Sequence, residues 1–257
     1  MRLTRFLSIT AMAAGLAFSG SRAADAGDGT FAKPLGVVEL FTSQGCNSCP
    51  PADAALRKLA ARGDVVALGY HVDYWDYLGW SDTLGSKANT ERQYAYARGL
   101  KRRGVYTPQA VINGRAHTNG GRYREIVAAM EQDMAAARGP AIGVKLTDLG
   151  DRIHVETEGT AGGDAGKVHI VLVYFRRHSE VDIKRGENAG RTIGYVNAVV
   201  DYQTIGMWEG APLTVDIPHS ELAAKNADGC AVLLQKATSG GDPGEIIGAA
   251  ILPRQTS

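Results

Sequence analysis

Cysteine is scarce in this chain, with 3 residues among 257. Small exported domains held together by disulfides contain proportionally many more, so a disulfide framework is excluded as the basis of the fold. Cys46 and Cys49 lie three positions apart and can pair with each other. Cys230 lies in the apolar run "GCAVLLQK", which is typical of a buried strand. We predict an inert core thiol there, with pairing to another chain as the alternative.

Long hydrophobic runs are also missing. The longest, residues 6–18, has about 13 residues, whereas a membrane-spanning helix needs about 20. Arg2 and Arg5 precede this run and the small-x-small tripeptide "SRA" ends at Ala23. This order is typical of a signal peptide over residues 1–23, with an uncleaved anchor as the alternative. We therefore expect a periplasmic or secreted protein with no transmembrane segment after cleavage.

The chain has no excess of charge of one sign. Its 28 Lys and Arg residues nearly balance 27 Asp and Glu residues, so the formal net charge is +1. Such a chain has no overall field that attracts nucleic acid or an anionic membrane. The local run from Lys101 to Arg103 is interpreted as the C-terminal end of a helix, where cations suit the dipole, with phosphate binding as the alternative.

Internal repeats and low-complexity tracts are absent, and 44% of the residues are hydrophobic and 21% charged. These values suit one large globular domain or two smaller ones. Residues 35–41 and 65–72 are apolar and β-branched, which predicts two buried strands. Apolar residues recur at helical spacing over 55–60, and Gly63 is a natural C-cap. Together they predict a βαβ unit with parallel strands.

Further along, residues 86–103 predict a helix with Ser81 or Asp82 as its cap. Residues 109–112 predict a strand, and Asn113-Gly114 is the strongest short hairpin signal. A second amphipathic helix is predicted where apolar residues form one stripe, which consists of Tyr123, Ile126, Val127, Met130 and Met134.

Beyond Gly139-Pro140, which end that helix, the pattern changes to short strands and glycine-rich turns. Seven strands predict an antiparallel sandwich. They cover residues 142–146, 153–157, 168–175, 192–200, 213–217, 231–236 and 246–252.

The two closely spaced cysteines directly follow the first predicted strand, in "LFTSQGCNSCPPAD" (residues 40–53). A thiol of pKa near 8.5 is about 3% ionised at pH 7, and lowering its pKa to about 7 makes half of it thiolate. Free backbone N–H groups and the dipole at a helix start favour the thiolate without a basic side chain. The position of the pair therefore indicates redox chemistry.

Two other roles for the pair are weaker. As a staple, a disulfide that closes a four-residue loop removes only about 2 kcal/mol of chain entropy. A zinc site wants four ligands, and no second Cys-x-x-Cys or closely spaced His pair follows. His71, the next histidine, is predicted to be a strand residue.

Two proline positions bear on the pair. Proline disfavours helical dihedrals in the residue before it, so Pro50 and Pro51 push Cys49 and Pro50 towards extended geometry. This predicts a helix that begins at Pro51, with Cys46 ahead of the dipole. Downstream, Pro108 opens a strand after the β-branched Thr107, which is consistent with a cis peptide bond, an ordinary trans proline being the alternative.

These features resemble the thioredoxin superfamily: a strand, Cys46-x-x-Cys49 before a helix, a second strand and "YTPQAVINGR" with Pro108 at the family's cis-proline position. The resemblance covers residues 35–138. The chain is also similar to a family of exported bacterial proteins with a thioredoxin-like fold and no assigned function, marked by "VVELFTSQGCNSCPPAD" and "RGENAGRT". The implied fold is an α/β thioredoxin-like domain over 35–138 followed by a mainly antiparallel, sandwich-like β-rich domain over 140–253.

The thioredoxin resemblance implies a role for each matching residue. Cys46 is expected to be the exposed attacking thiol and Cys49 the buried resolving thiol. Pro108 would lie against the pair, with the backbone of Thr107 free to hold an extended peptide. Glu39 resembles the buried acid that moves a proton at the resolving thiol. It lies seven residues before the first cysteine instead of the usual six, and strict alternation places Leu40 there.

Two further segments carry candidate binding residues. Residues 70–80 hold five aromatics, which either pack between the sheet and the β-rich half or line a peptide groove beside the cysteines. The groove would use Tyr74, Trp75, Tyr77 and Trp80. The "RGENAGRT" segment either is a turn whose polar groups bind its own backbone or forms a polar site. That site would comprise Arg185, Glu187, Asn188 and Arg191.

The function that these patterns favour is thiol-disulfide exchange with protein thiols or a redox partner protein, without an organic cofactor or metal. One alternative is a non-enzymatic module that binds protein or glycan on a thioredoxin-like scaffold, since a fold does not determine a function. The other is cuprous-ion binding by the two thiols, which are soft ligands.

Overall fold

The first half contains the predicted βαβ unit in the computed structural model, which describes residues 30–159 and 167–253. Strand β1 (Gly36–Thr42) leads through the cysteine loop into helix α1 (Pro50–Ala60), and strand β2 (Val65–His71) returns parallel to β1. The predicted signal peptide lies outside the described residues. No helix within those residues has the length and apolar character needed to cross a membrane.

The remaining α-helices and strands of the first half are helix α2 (Lys87–Gly99), the hairpin strands β3 (Gln109–Ile112) and β4 (Ala116–Asn119), and helix α3 (Tyr123–Ala135). A 3₁₀ helix (Asp76–Leu78) precedes α2. The hairpin prediction is confirmed, since Asn113 and Gly114 both have positive φ, 49° and 66°. The α2 cap prediction is wrong, because Ser86 caps α2 by accepting a hydrogen bond from the Asn89 backbone. The helix also ends before residue 103, because Lys101 adopts a φ of 54°.

The second half contains all seven predicted strands, and two are much longer than expected. The long pair is β7 (Val168–Asp182) and β8 (Thr192–Trp208). The others are β5 (Val144–Asp148), β6 (Arg152–Thr157), β9 (Leu213–Pro218), β10 (Gly229–Ala237) and β11 (Pro243–Ile251), with a short helix α4 (Ser220–Ala224) before β10.

Strands from both halves form one sheet. Its eight strands run in the order β11-β10-β7-β8-β2-β1-β3-β4, and a bridge between Gly69 and Ala198 joins β2 to β8. Strands β5, β6 and β9 form a second, three-stranded antiparallel sheet. The fold is therefore mixed α/β, with a large, mostly antiparallel sheet and a small second sheet.

Alternation along the strands divides the core by face. On one face, Val37 and Phe41 of β1 pack with Tyr96 of α2. On the other face, Val38 and Leu40 pack with apolar side chains of α1 and α3. Strands β7, β10 and β11 bury side chains against the small sheet, as a sandwich does. The large sheet thus brings the β1–α1 loop and the β7–β8 hairpin to one region of the protein.

Candidate functional site

The cysteine pair lies where strand β1 meets helix α1. Cys46 and Cys49 are joined by a disulfide, with their Cα atoms 5.4 Å apart. Cys49 is the N-cap of α1, and its carbonyl accepts hydrogen bonds from the backbone N–H groups of Ala52 and Asp53 at 2.8 and 3.1 Å. The disulfide therefore lies at the helix N-terminus, where free N–H groups and the dipole favour negative charge.

The predicted effect of the two prolines is wrong. Cys49 has helical dihedrals, φ −80° and ψ −35°, and the helix begins at Pro50. The first positions of a helix need no intrahelical N–H donor, so Pro50 and Pro51 fit there without loss of a bond. The bonds to the Cys49 carbonyl hold that residue in the helical region despite the preference of a residue before proline. The disulfide therefore lies directly at the positive end of the helix dipole.

The expected exposure of Cys46 is also corrected. Only 1% of Cys46 is exposed, and Cys49 is fully buried. The Cys46 Sγ lies 3.3 Å from Ser48 Oγ. In this disulfide form, other parts of the chain shield the residue that the resemblance makes the attacking thiol. Cys230 is buried, as predicted, and burial raises the pKa of its thiol to about 12.

The Thr107–Pro108 peptide bond is cis, as predicted. The Trp75 indole N–H donates a hydrogen bond to Thr107 Oγ1 at 2.8 Å. Trp75 also lies against Gly45, since a Cβ at that glycine would be 3.1 Å from Trp75 Cβ. One tryptophan therefore spans from the residue before Cys46 to the residue before the cis proline.

The other aromatic residues divide between core and site. Tyr70 is fully buried in the core, and the Tyr74 hydroxyl donates to the side chain of Gln93. The Trp80 indole N–H donates to Gln44 Oε1 at 2.8 Å, two residues before Cys46. Tyr77 is 79% exposed. The cysteine loop is thus in contact with Trp75 and Trp80, while Tyr77 projects into solvent and Tyr74 packs partly on the core.

Glu39 does not lie beside the cysteine pair. Its carboxylate is buried on the α2 face of the sheet, where it accepts hydrogen bonds from Arg92 Nε at 2.7 Å and from the Tyr96 hydroxyl. Leu40, one residue further, faces α1 and packs with it, as alternation predicts. The position that the resemblance gave to an acid is therefore apolar here.

A buried polar cluster instead lies next to the pair, and none of the sequence patterns above predicts it. Asp53 follows Cys49 by one helical turn, and its Oδ1 accepts a 2.7 Å hydrogen bond from Thr42. His71 Nδ1 and Asp82 Oδ2 are 2.8 Å apart, and the same carboxylate oxygen accepts from the Gln44 backbone N–H. The i, i+4 spacing of Cys49 and Asp53 was the available signal.

This cluster surrounds a cavity of about 10 Å³, whose lining includes Asp53, His71 and Tyr195. Asp53 Oδ2 and the Tyr195 hydroxyl are buried without a hydrogen-bond partner in the described ranges. Burial raises the pKa of Asp53 to about 6, although the charge of His71 and the Thr42 hydrogen bond oppose the rise. Burial lowers the pKa of His71, but the Asp82 carboxylate outweighs it and the net shift is upward. Asp53 can therefore gain or lose a proton near neutral pH.

The "RGENAGRT" segment reaches the cysteine loop from the second half of the chain. Residues 183–191, here called the hairpin tip, connect β7 to β8. The buried Asn188 side chain donates to the carbonyls of Gln44 and Cys46, both at 2.9 Å. Glu187 accepts a 3.3 Å hydrogen bond from the Asn47 backbone N–H. Within the tip, Arg191 donates to Asn188 Oδ1, which is a contact between side chains and not the predicted bond to the turn's own backbone.

Glu187→Gln should raise the thiolate fraction of reduced Cys46 at neutral pH about threefold. By Coulomb's law with the dielectric constant of water, two like charges about 6 Å apart repel each other by about 0.7 kcal/mol. The neutral amide of glutamine removes a repulsion of this order from the Cys46 thiolate. Ultraviolet absorbance of the thiolate as a function of pH measures the change. Glu180→Gln, at an exposed position of β7, is the control. An unchanged titration in Glu187→Gln would show that the carboxylate does not act on the thiol.

Two comparisons with known proteins match most of the chain. A family model described as a protein of unknown function (DUF1223) matches residues 37–235. The crystal structure of protein AGR_C_4864 from Agrobacterium tumefaciens is 48% identical, covers 87% of this chain and 96% of its own, and has a TM-score of 0.80.

HBP35 of Porphyromonas gingivalis is similar in fold alone, with 14% identity, coverage of 89% of this chain and 79% of that chain, and a TM-score of 0.55. No curated protein matches the chain. The family match spans most of the chain, including both the cysteine loop and the hairpin tip. The chain therefore belongs to the DUF1223 family of proteins of unknown function.

Proposed function

We propose that this protein is an exported thiol-disulfide oxidoreductase with a thioredoxin-like N-terminal domain, and that it exchanges disulfides with protein thiols through Cys46 and Cys49. The observation that carries the proposal is the disulfide at the N-terminus of α1, linked through Trp75 to the cis Thr107-Pro108 peptide. A helix N-terminus favours the thiolate that such exchange requires. A periplasmic or secreted location is part of the proposal, since disulfides persist in oxidising compartments.

The proposed exchange has two steps. In the reductive direction, the Cys46 thiolate attacks a sulfur of the partner's disulfide, which forms a mixed disulfide and releases one partner thiolate. The Cys49 thiol then loses its proton and attacks the Cys46 sulfur. That attack forms the Cys46–Cys49 disulfide and expels the second partner sulfur as a thiolate. The partner is reduced by two electrons and the cysteine pair is oxidised by two.

Asp53 is the proposed proton acceptor for Cys49, in the role that the resemblance gave to Glu39. Cys49 is fully buried, so a base inside the protein has to take its proton. Asp53 lies one turn away on the same helix, and one of its carboxylate oxygens has no hydrogen-bond partner among the residues that the structure describes. Its pKa near 6 leaves it mostly ionised at neutral pH. The charge of His71 and the hydrogen bond from Thr42 favour the ionised form of Asp53, whereas the charge of Asp82 disfavours it.

The proposal predicts that Cys49→Ala traps partners on Cys46. Without the resolving thiol, the mixed disulfide cannot be released, so Cys46 should stay bound to partner proteins in the exporting cell. Non-reducing electrophoresis and mass spectrometry of the attached chains measure the outcome. The Cys46→Ala/Cys49→Ala double variant is the control and should capture nothing. An empty trap, with a reduction potential of the pair well below about −300 mV, would contradict the function.

A second candidate function rests on the burial of Cys46. A disulfide that no partner reaches would be structural, and the protein would then be a binding module for protein or glycan. The exposed Tyr77 beside the site supplies an aromatic contact of the kind that such surfaces use. An empty trap together with partners retained in a Tyr77-dependent manner would favour this candidate.

A further inference from the structure

The hairpin tip lies across the cysteine loop, and Asn188 holds it there. Asn188 is 1% exposed, and its amide group makes three hydrogen bonds. Two of them go to backbone carbonyls on either side of Gly45, so the amide sets the backbone path that leads into Cys46. Glu187 adds a contact to Asn47, on the other side of the same cysteine. The residues around Cys46 are thus bound by a segment about 140 positions away in sequence.

The tip is attached by polar contacts more than by apolar packing. Within residues 183–191, only Ile183 and Asn188 are buried, and most of the others are exposed. Gly186 approaches Trp80 closely, since a Cβ there would lie 3.2 Å from Trp80 Cβ. Gly186 and Gly190 adopt φ values of 77° and 80°, which favour glycine. Segments with few buried apolar contacts open at low free energy, so the tip can lift while the sheet stays folded.

We propose that the hairpin tip is a removable cover of the redox site and that Asn188 is the positioning residue that holds Cys46 beneath it. The proposal rests on the proposed function and concerns how access to that site is regulated. In the closed form, Cys46 is shielded from a partner's sulfur. Exchange then proceeds through the open form, whose population depends on the two Asn188 bonds to the loop.

The test measures the alkylation of Cys46 in a Cys49→Ala/Cys230→Ala background, where iodoacetamide has one thiol to modify. Asn188→Ala should raise the rate constant, corrected for thiolate fraction, about tenfold, because the loss of two buried hydrogen bonds favours the open form. Asn89→Ala is the matched control. Its buried amide also donates to two backbone carbonyls, those of His71 and Val199. It should alter the rate less than twofold.

If Cys46 is alkylated no faster in Asn188→Ala than in Asn89→Ala, the proposal that the hairpin tip covers Cys46 is wrong. If Asn188→Ala does not fold, the Cys49→Ala/Cys230→Ala protein itself provides the test. Its Cys46 thiolate should react at least about tenfold more slowly than the thiolate of a peptide of residues 44–49 that also carries Cys49→Ala, and equal rates overturn the proposal. Alkylation needs no redox partner. If Cys49→Ala captures partners but Asn188→Ala does not change the alkylation rate, the cover is rejected and the proposed function is retained. If Asn188→Ala speeds alkylation but Cys49→Ala captures no partner, the cover is retained and the proposed function is rejected.

Discussion

Asp53→Asn should stabilise the folded protein above pH 6 by about 2 to 3 kcal/mol and leave its stability at pH 4 nearly unchanged. Burial raises the pKa of Asp53 from 3.8 to about 6, against the opposing effects of His71 and Thr42. An amide of the same shape keeps the hydrogen bond from Thr42 and never ionises. The neutral amide NH₂ group of asparagine also takes the place of Asp53 Oδ2, which has no hydrogen-bond partner in the described residues.

The direction of this pH dependence follows from proton binding. The folded protein holds the Asp53 proton more tightly than the unfolded chain, because the folded pKa is the higher one. The resulting stabilisation is complete below about pH 4 and is lost as the pH rises through about 6. The asparagine variant does not lose it. Thermal unfolding with the disulfide intact should therefore show a melting temperature about 5 to 10 °C higher at pH 8 and a similar one at pH 4.

The same substitution should slow the closing of the disulfide. In the reaction of the reduced protein with an aromatic disulfide, the first thiolate released reports attack by Cys46 and the second reports attack by Cys49. Asp53→Asn should leave the first phase within about twofold and slow the second on the order of 10²-fold, the usual contribution of a positioned base. Stopped-flow absorbance separates the two phases.

Asp133→Asn is the control for both measurements. Asp133 is also a buried carboxylate, but it lies in α3 and binds Asn113 and Arg138. Its loss should destabilise the protein and leave the second phase unchanged. A second phase of normal rate in Asp53→Asn would remove Asp53 from the mechanism. Normal melting at pH 8 would show that its carboxylate is not disfavoured by burial.

The parts of this site that the sequence predicts are those set by local signals. The βαβ unit follows from hydrophobic runs and helical spacing, and the hairpin follows from Asn113-Gly114. Alternation along β1 predicts that Leu40 faces α1 and Glu39 does not. The rule for residues before proline predicts the wrong start for α1, because proline also fits the first positions of a helix.

The remaining parts depend on contacts between distant segments. Asn188 meets the Cys46 carbonyl at the end of a strand, β7, that extends to Asp182, past the end predicted at residue 175. The bridge between Gly69 and Ala198 that fixes β8 beside β2 has no signature in either strand. The contact of the hairpin tip with the cysteine loop involves segments far apart in sequence, so neighbouring residues alone do not predict it.

Glu39→Gln should destabilise the protein by about 3 to 5 kcal/mol, the usual result of removing one partner of a buried ion pair. Arg92 would remain buried, with Gln235 Oε1 at 3.0 Å and the rings of Tyr70, Tyr96 and Tyr202 within about 5.5 Å of its guanidinium carbon, and without a counterion. Denaturant or thermal unfolding measures the loss, which corresponds to a melting temperature roughly 10 °C lower.

The Glu39 prediction also separates a structural acid from a catalytic one. Arg92→Met combined with Glu39→Gln removes both charges, so the double variant should recover part of the lost stability. In either variant, below its melting temperature, both phases of thiolate release should stay within about twofold of the parent, because Glu39 lies on the α2 face of the sheet and Asp53 on the α1 face. A slow second phase in folded Glu39→Gln would return the proton-transfer role to Glu39. If only Asp53→Asn slows the second phase, the proton-transfer role belongs to Asp53, in the helix that begins after Cys49.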